Sequence, residues 1–333
     1  MLRPSVHVRP SVQVFAVTGG PCSGKSTGID FLARDGLRHA ARVHVVPEAA
    51  TLYHDYAGRL PFGQAPSTCG RISASGRDLL WEMLLNELKR SLEAKATNRA
   101  LELSHSDGGT HLVLCDRGIL DSRAYLPSPH AWQRMLQLAS WEEQAIASRY
   151  DHVFHMALCP EEAYNTANNR ARRESYTEAV DLDSKTLAAW RPTHRMCQTM
   201  VGADLGADDF DAKLHELSAA VDQQIASAGS LAPTSMVTKT REFHLPPREI
   251  IALADSVASA PDLSQVAPAA VSIVRRIQRV DRMAPAQRAF PAEACHRELR
   301  RSAAKMQGTH IMRSGARSVH EREVDALLAN PAW

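Results

Sequence analysis

No apolar run in the 333-residue sequence approaches the roughly 18 residues that a membrane-spanning helix needs. The opening stretch, MLRPSVHVRPSVQV, has neither an apolar core long enough nor a small-residue cleavage site for a secretory signal, so a cytoplasmic location is expected. Charge of one sign is not in excess: 39 Lys and Arg face 37 Asp and Glu, a formal net of +2. Without a global basic field, binding to nucleic acid is not expected. Paired cysteine spacing is also missing. Cys22, Cys69, Cys115, Cys159, Cys197 and Cys295 are scattered, which argues against a disulfide framework and a zinc site and for reduced thiols. No internal repeat is visible. What remains, 44% hydrophobic and 23% charged residues, is a globular composition long enough for one large domain and a small one.

Val12 to Thr18 reads as a buried strand that runs into a Gly-rich turn and then into helical spacing from Ser26 to Arg34. Arg42 to Val46 and His111 to Cys115 are two further apolar runs, followed by Glu48 and Asp116, and His152 to Leu158 is a fourth strand candidate. Between the second and third, Leu80, Leu84, Leu88 and Leu92 recur every four residues, the stripe of an amphipathic helix over Leu79 to Leu103. Alternating strands and helices predict an α/β fold with a mainly parallel sheet covered on both faces, whose ligands collect at the carboxyl ends of the strands. Ala163 to Trp190 is polar with weak helical spacing, and Phe210 to Ala228 is amphipathic and helical. We expect one domain over 11–229, a linker over 230–236, and a small or partly disordered basic region over 237–333.

Chemistry concentrates in Gly19, Gly20, Pro21, Cys22, Ser23, Gly24, Lys25, Ser26 and Thr27, where Gly, four residues, then Gly-Lys-Ser follow a strand and open a helix. Such a loop turns successive amides toward a phosphate, and the helix dipole adds to the attraction. Lys25 can then reach the β and γ oxygens of a nucleoside triphosphate, while the Ser26 hydroxyl joins a Mg2+ shell. Asp116, followed by Arg117 and Gly118, suits a second Mg2+ ligand with an Arg that meets a phosphate; the plainer alternative is a capping Asp paired with Arg117. Glu48 could accept a proton from a hydroxyl nucleophile, or be an exposed acid that opens the next helix. Arg170, Arg172 and Arg173 with Glu174 could close over the transferring phosphate, or form a solvated face. His152 and His155 are expected on opposite sides of a strand, which is poor metal geometry.

On these segments the chain resembles the P-loop family that contains the kinase domain of bacterial NadR proteins and the TRPL-translocation-defect proteins of animals. The resemblance covers roughly residues 11 to 228. It rests on VTGGPCSGKST at Val17 to Thr27, VPEAAT at Val46 to Thr51, CDRG at Cys115 to Gly118, NRARRES at Asn169 to Ser175, Ala179 to Asp183, and Ala188 to Trp190. It implies a nucleoside-kinase-like fold, ATP or GTP on Gly24, Lys25, Ser26 and Thr27 with Mg2+, Glu48 and Asp116 near acceptor or metal, and Arg172 with Glu174 in a lid. One branch phosphorylates ribosylnicotinamide with ATP; the other is similar to a GTP-binding, phosphoinositide-binding trafficking factor. Two readings follow. The first is a Mg2+-dependent transfer of phosphoryl to a small hydroxyl acceptor such as a nucleoside. The second is a nucleotide-dependent switch whose basic tail, with Arg275, Arg276, Arg279 and Arg282, meets anionic phospholipid. Arg191 to Met200 departs from the family's His-Pro-His pattern, which leaves the fifth strand and the base pocket unsupported. Val237 to Leu245 lacks the alternating acids of a CYTH barrel, so at most a degenerate remnant is expected over 237–333.

Overall fold

The computed structural model describes residues 11–34, 41–57, 76–126, 128–139, 141–164, 174–194, 197–201 and 210–230, with single positions at 37 and 250. The elements in chain order are β1 (Ser11–Thr18), α1 (Lys25–Arg34), β2 (Ala41–Val46), α2 (Ala49–Ala57), α3 (Gly76–Asp107), β3 (Thr110–Asp116), α4 (Ser122–Tyr125), α5 (Pro129–Ala139), α6 (Glu143–Ala147), β4 (His152–Met156), α7 (Tyr176–Trp190), β5 (Cys197–Met200) and α8 (Phe210–Ser230). The expected linker, the basic region with its arginines, and Arg170, Arg172 and Arg173 lie outside the described residues.

The five strands form one sheet in the order β2-β3-β1-β4-β5, with every neighbour parallel. Alternation along β1 explains why both faces need cover. Val14 and Ala16 belong to a core shared with α2, α3 and α5, whereas Phe15 and Val17 belong to a second core shared with α1 and α8. The register sets Val17 beside Asp116, so the end of β3 stands level with the start of the loop that follows β1. Because β2 is the other neighbour of β3, Glu48 leaves the sheet on the same edge. Among the described residues no helix is long and apolar enough to cross a membrane, and none of Cys22, Cys115, Cys159 and Cys197 is in a disulfide.

Two elements depart from their sequence expectation. The leucine stripe predicts a one-sided α3, but Glu82, Asn86, Glu87, Lys89 and Glu93 are as buried as Leu84, Leu88 and Leu92. Buried charge is tolerated there because each group is paired. Arg149 Nε reaches Glu93 Oε2 at 3.1 Å, Tyr150 donates to Glu93 Oε1 at 2.6 Å, Arg90 pairs with Glu87, and Lys89 Nζ donates to the Gly118 carbonyl at 3.1 Å. The fifth strand, unsupported by the sequence, is present: Cys197 to Met200 pair with Val153 to Met156. An edge strand needs only one partner and one packed face, so a short run such as CQTM suffices without an apolar pattern.

The amino-terminal end of the sheet holds a titratable chain of contacts. His44 Nε2 lies 2.9 Å from His111 Nδ1, and His111 Nε2 lies 3.2 Å from the Asp107 carboxylate, which also meets Arg42. Burial, then the charges of His111, Arg99 and Arg42, lower the His44 pKa to about 4. A histidine depressed below its unfolded value near 6.5 contributes stability above that pH and loses it as pH falls toward about 4. Thermal unfolding is therefore expected to fall in temperature across that window, and His44→Gln, which keeps a donor for His111, should flatten the slope. An unchanged slope in the variant would assign the effect elsewhere.

Candidate functional site

The loop between β1 and α1 is a left-handed concavity: φ is +139° at Gly19, +57° at Cys22 and +86° at Gly24. Gly19 is required on two counts, since a side chain there would be strained and its β-carbon would collide with the Met156 carbonyl. Positive-φ positions of this kind build anion-binding loops, and α1 begins at the loop's end, so its unpaired N–H groups and dipole add to the attraction.

The loop's polar groups are tied to one another and to the rest of the fold. Lys25, 3% exposed, donates from Nζ to the Gly20 carbonyl at 2.6 Å and to Ser23 Oγ at 3.1 Å. Arg117 Nη1 donates to the Gly19 carbonyl at 3.0 Å, and Gly20 N donates to Asp183 Oδ1 at 2.7 Å. Lys213 donates to the Ser23 carbonyl at 3.0 Å and to the Ala157 carbonyl. Pro21 is buried, Cys22 half-buried, and Ser26 and Thr27 are exposed on the first turn of α1.

Beside the loop stand the acids. Ser26 Oγ donates to Asp116 Oδ2 at 2.6 Å, while Asp116 Oδ1 is buried without a hydrogen-bond partner. Burial, then the neighbouring Glu48, push the Asp116 carboxyl up, against Lys25, Ser26 and Arg117. A hydroxyl and a carboxylate with one unsatisfied oxygen, at the mouth of an anion-binding loop, fit a divalent cation that takes its other ligands from phosphate and water. Among the described residues no group of three or more His, Cys, Asp or Glu could hold a metal.

Arg117 spans Glu48 and the Gly19 carbonyl of the loop. Its backbone is left-handed (φ +68°), which lets Nε reach Glu48 Oε1 at 2.5 Å while the guanidinium lies 5.6 Å from the Tyr125 ring centre. The paired acid is thus Glu48, not Asp116. Burial alone would raise the Glu48 carboxyl, but Arg117, Lys25 and the Thr51 hydroxyl at 2.7 Å bring it to about 2. Gly118 completes the segment for a packing reason: a β-carbon would stand 2.5 Å from Trp190 Cζ2. Glu174 is half-buried just before α7, and its charge adds to burial and Glu48 in pushing the Tyr125 hydroxyl up, against Arg117. His152 meets Phe15 edge-on at 5.1 Å, whereas His155 Nε2 lies 3.3 Å from Asp183, so the two meet different neighbours.

Sequence reasoning did not single out a role for Asp183 or Lys213. A signal for the first exists. Ser175-Tyr176-Thr177-Glu178 is a capping box, in which Ser175 N donates to Glu178 Oε2 at 2.8 Å and Glu178 N to Ser175 Oγ at 3.3 Å. That box fixes the start of α7 and with it the face that carries Asp183. Nothing local marks Lys213, whose partners are residues Ser23 and Ala157.

No curated protein matches the chain. A family model described as an AAA domain matches residues 14–202, more than half of the 333 residues, from β1 through β5 and with the loop, Glu48, Asp116 and Asp183 inside it. With the five-stranded parallel sheet, the glycine loop and the Ser26–Asp116 pair in place, the chain belongs to the AAA_28 family and carries a P-loop domain of the nucleotide-binding type.

Proposed function

We propose that this domain transfers the γ-phosphoryl group of a Mg2+-bound nucleoside triphosphate, ATP or GTP, to a small hydroxyl acceptor such as a nucleoside. The observation that carries the reading is the second acid: Glu48 lies in the same cleft as Asp116 but is committed to Arg117 and Thr51 rather than to the Ser26 side. One acid is thus suited to the metal and another to an acceptor. The resemblance to the NadR kinase domain and the TRPL-translocation-defect proteins likewise implies both acids near acceptor or metal.

In this reading the loop amides and the Lys25 ammonium hold the phosphates, and Ser26 with Asp116 holds the metal. Magnesium, when bound, supplies charge neutralisation on the β and γ oxygens. Glu48, near a pKa of 2, is a weak base but a strong hydrogen-bond acceptor. It orients the acceptor hydroxyl and takes its proton late, as suits a loose phosphoryl-transfer transition state in which positioning dominates. Arg172, or its neighbours Arg170 and Arg173, would meet the charge on the leaving side.

Incubation with Mg2+ and ATP or GTP, with and without a nucleoside panel that includes nicotinamide riboside, tests this by chromatography of diphosphate and phosphorylated product. Acceptor-dependent diphosphate is expected; its absence with every acceptor removes the kinase reading. Glu48→Gln is expected to lower turnover about 100-fold, the lower range for a proton-accepting group, while nucleotide affinity changes less than about threefold. Retained turnover would take Glu48 out of the acceptor site.

A further inference from the structure

Gly20 is bonded through both its amide and its carbonyl. Its N–H goes to Asp183 Oδ1 at 2.7 Å and its carbonyl accepts from Lys25 Nζ at 2.6 Å, so both peptide planes around it are fixed. The fit is close: a β-carbon on Gly20 would stand 2.8 Å from Asp183 Cβ and 3.1 Å from the Ala179 carbonyl. Helix α7 therefore lies directly on the loop. Asp183 keeps its charge there. Burial would raise its carboxyl, but the bond to His155 and the amides of Gly20 and Leu158 lower it. Its side chain is 17% exposed and that of His155 1%. Donors from three segments (the loop, β4 and the turn after β4) thus converge on one carboxylate of a fourth.

A charge-assisted bond to a backbone amide fixes the peptide orientation at a cost met during folding, before any ligand arrives. Without it, the Gly-Gly pair that opens the loop has wide conformational freedom, and ordering it would be charged against nucleotide binding. We propose that Asp183 is a positioning residue for the phosphate loop, holding Gly20 so that the anion-binding concavity is formed in advance and α7 becomes part of the nucleotide site. This rests on the nucleotide-binding reading above. Gly20 N, so held, is not a phosphate donor, and the phosphates are left to the amides that follow.

The test pairs hydrogen exchange of the loop peptide without nucleotide with affinity for Mg·ATP and Mg·GTP. Asp183→Ala is expected to speed loop exchange and to raise Kd about tenfold, the range of one charged hydrogen bond. Asp183→Asn keeps one acceptor oxygen but loses the charge, so both quantities should fall between the parent and Asp183→Ala. Leu182→Ala, which opens a cavity on the core side of α7 without touching Gly20, should lower the melting temperature yet leave Kd in place. If Asp183→Ala does not fold, Asp183→Ser, too short to reach Gly20, gives the same contrast. Unchanged exchange and Kd in Asp183→Ala, or a Kd in Leu182→Ala raised as much, would overturn the proposal. Faster loop exchange in a protein whose parent binds neither nucleotide would uphold the positioning role and overturn the nucleotide reading instead.

Discussion

Replacing Lys25 by alanine is expected to reduce nucleotide-dependent turnover about 100-fold or more and to raise the Kd of Mg·nucleotide by roughly one to two orders of magnitude. The side chain is 3% exposed, and its ammonium is anchored by the Gly20 carbonyl and Ser23 Oγ. It is therefore held at the loop rather than recruited to it, and in the proposed reading its charge would meet the phosphates in a site of low dielectric. Truncation removes that charge and also the two internal bonds that tighten the loop, so affinity and turnover should fall together, with turnover falling further because charge builds during transfer. Lys25→Arg is not expected to rescue it. A planar fork is longer than the ammonium and cannot make the same two contacts within the loop. Titration with a fluorescent nucleotide and chromatography of product check both quantities. A Kd within twofold of the parent, with turnover intact, would show that Lys25 serves the loop alone.

Asp116→Asn is expected to act in opposite directions on stability and on activity. Burial and Glu48 hold the Asp116 carboxyl above its ordinary range. An acid raised in the folded state contributes its stability below the unfolded pKa and loses it as pH rises through the folded value. The charge on Asp116 is thus a cost to the fold, made larger by the buried, unpartnered Oδ1. Asparagine removes the charge while its carbonyl can still accept from Ser26 Oγ. The melting temperature in EDTA should therefore rise, while the Mg2+-dependent part of turnover falls about 100-fold, because the neutral amide is a poor partner for a hard cation. The same argument gives the parent protein a Mg2+ requirement that eases with rising pH, as proton and metal compete for one oxygen. A lower melting temperature with unaltered Mg2+ dependence would reduce Asp116 to a structural partner of Ser26.

The sequence carried the loop, the strands on either side of it and the acids at their ends because those signals are local. A buried parallel strand reads as a short apolar run, and a glycine loop that must wrap a phosphate leaves its spacing in the chain. α3 shows the limit. Its leucine period is real, but which of its polar residues are buried depends on Arg149, Tyr150 and Gly118, which lie tens of residues away. β5 shows another: as an edge strand it is specified by the exposed edge of β4 more than by its own composition.

By itself, then, the sequence determined an α/β chain with a phosphate loop and with Glu48 and Asp116 at strand ends, since each depends on residues within about one element of one another. Tertiary structure alone decided how those groups are shared. The order β2-β3-β1-β4-β5 sets β3 between β2 and β1, so that Asp116 meets Ser26 while Arg117, reversed by its left-handed backbone, turns to Glu48 and the Gly19 carbonyl. It also decided that α7 and α8 supply Asp183 and Lys213 to the loop from 163 and 190 residues away. Contacts across such separations leave no period or spacing in a single chain, because the geometry that makes them exists only after the sheet has formed.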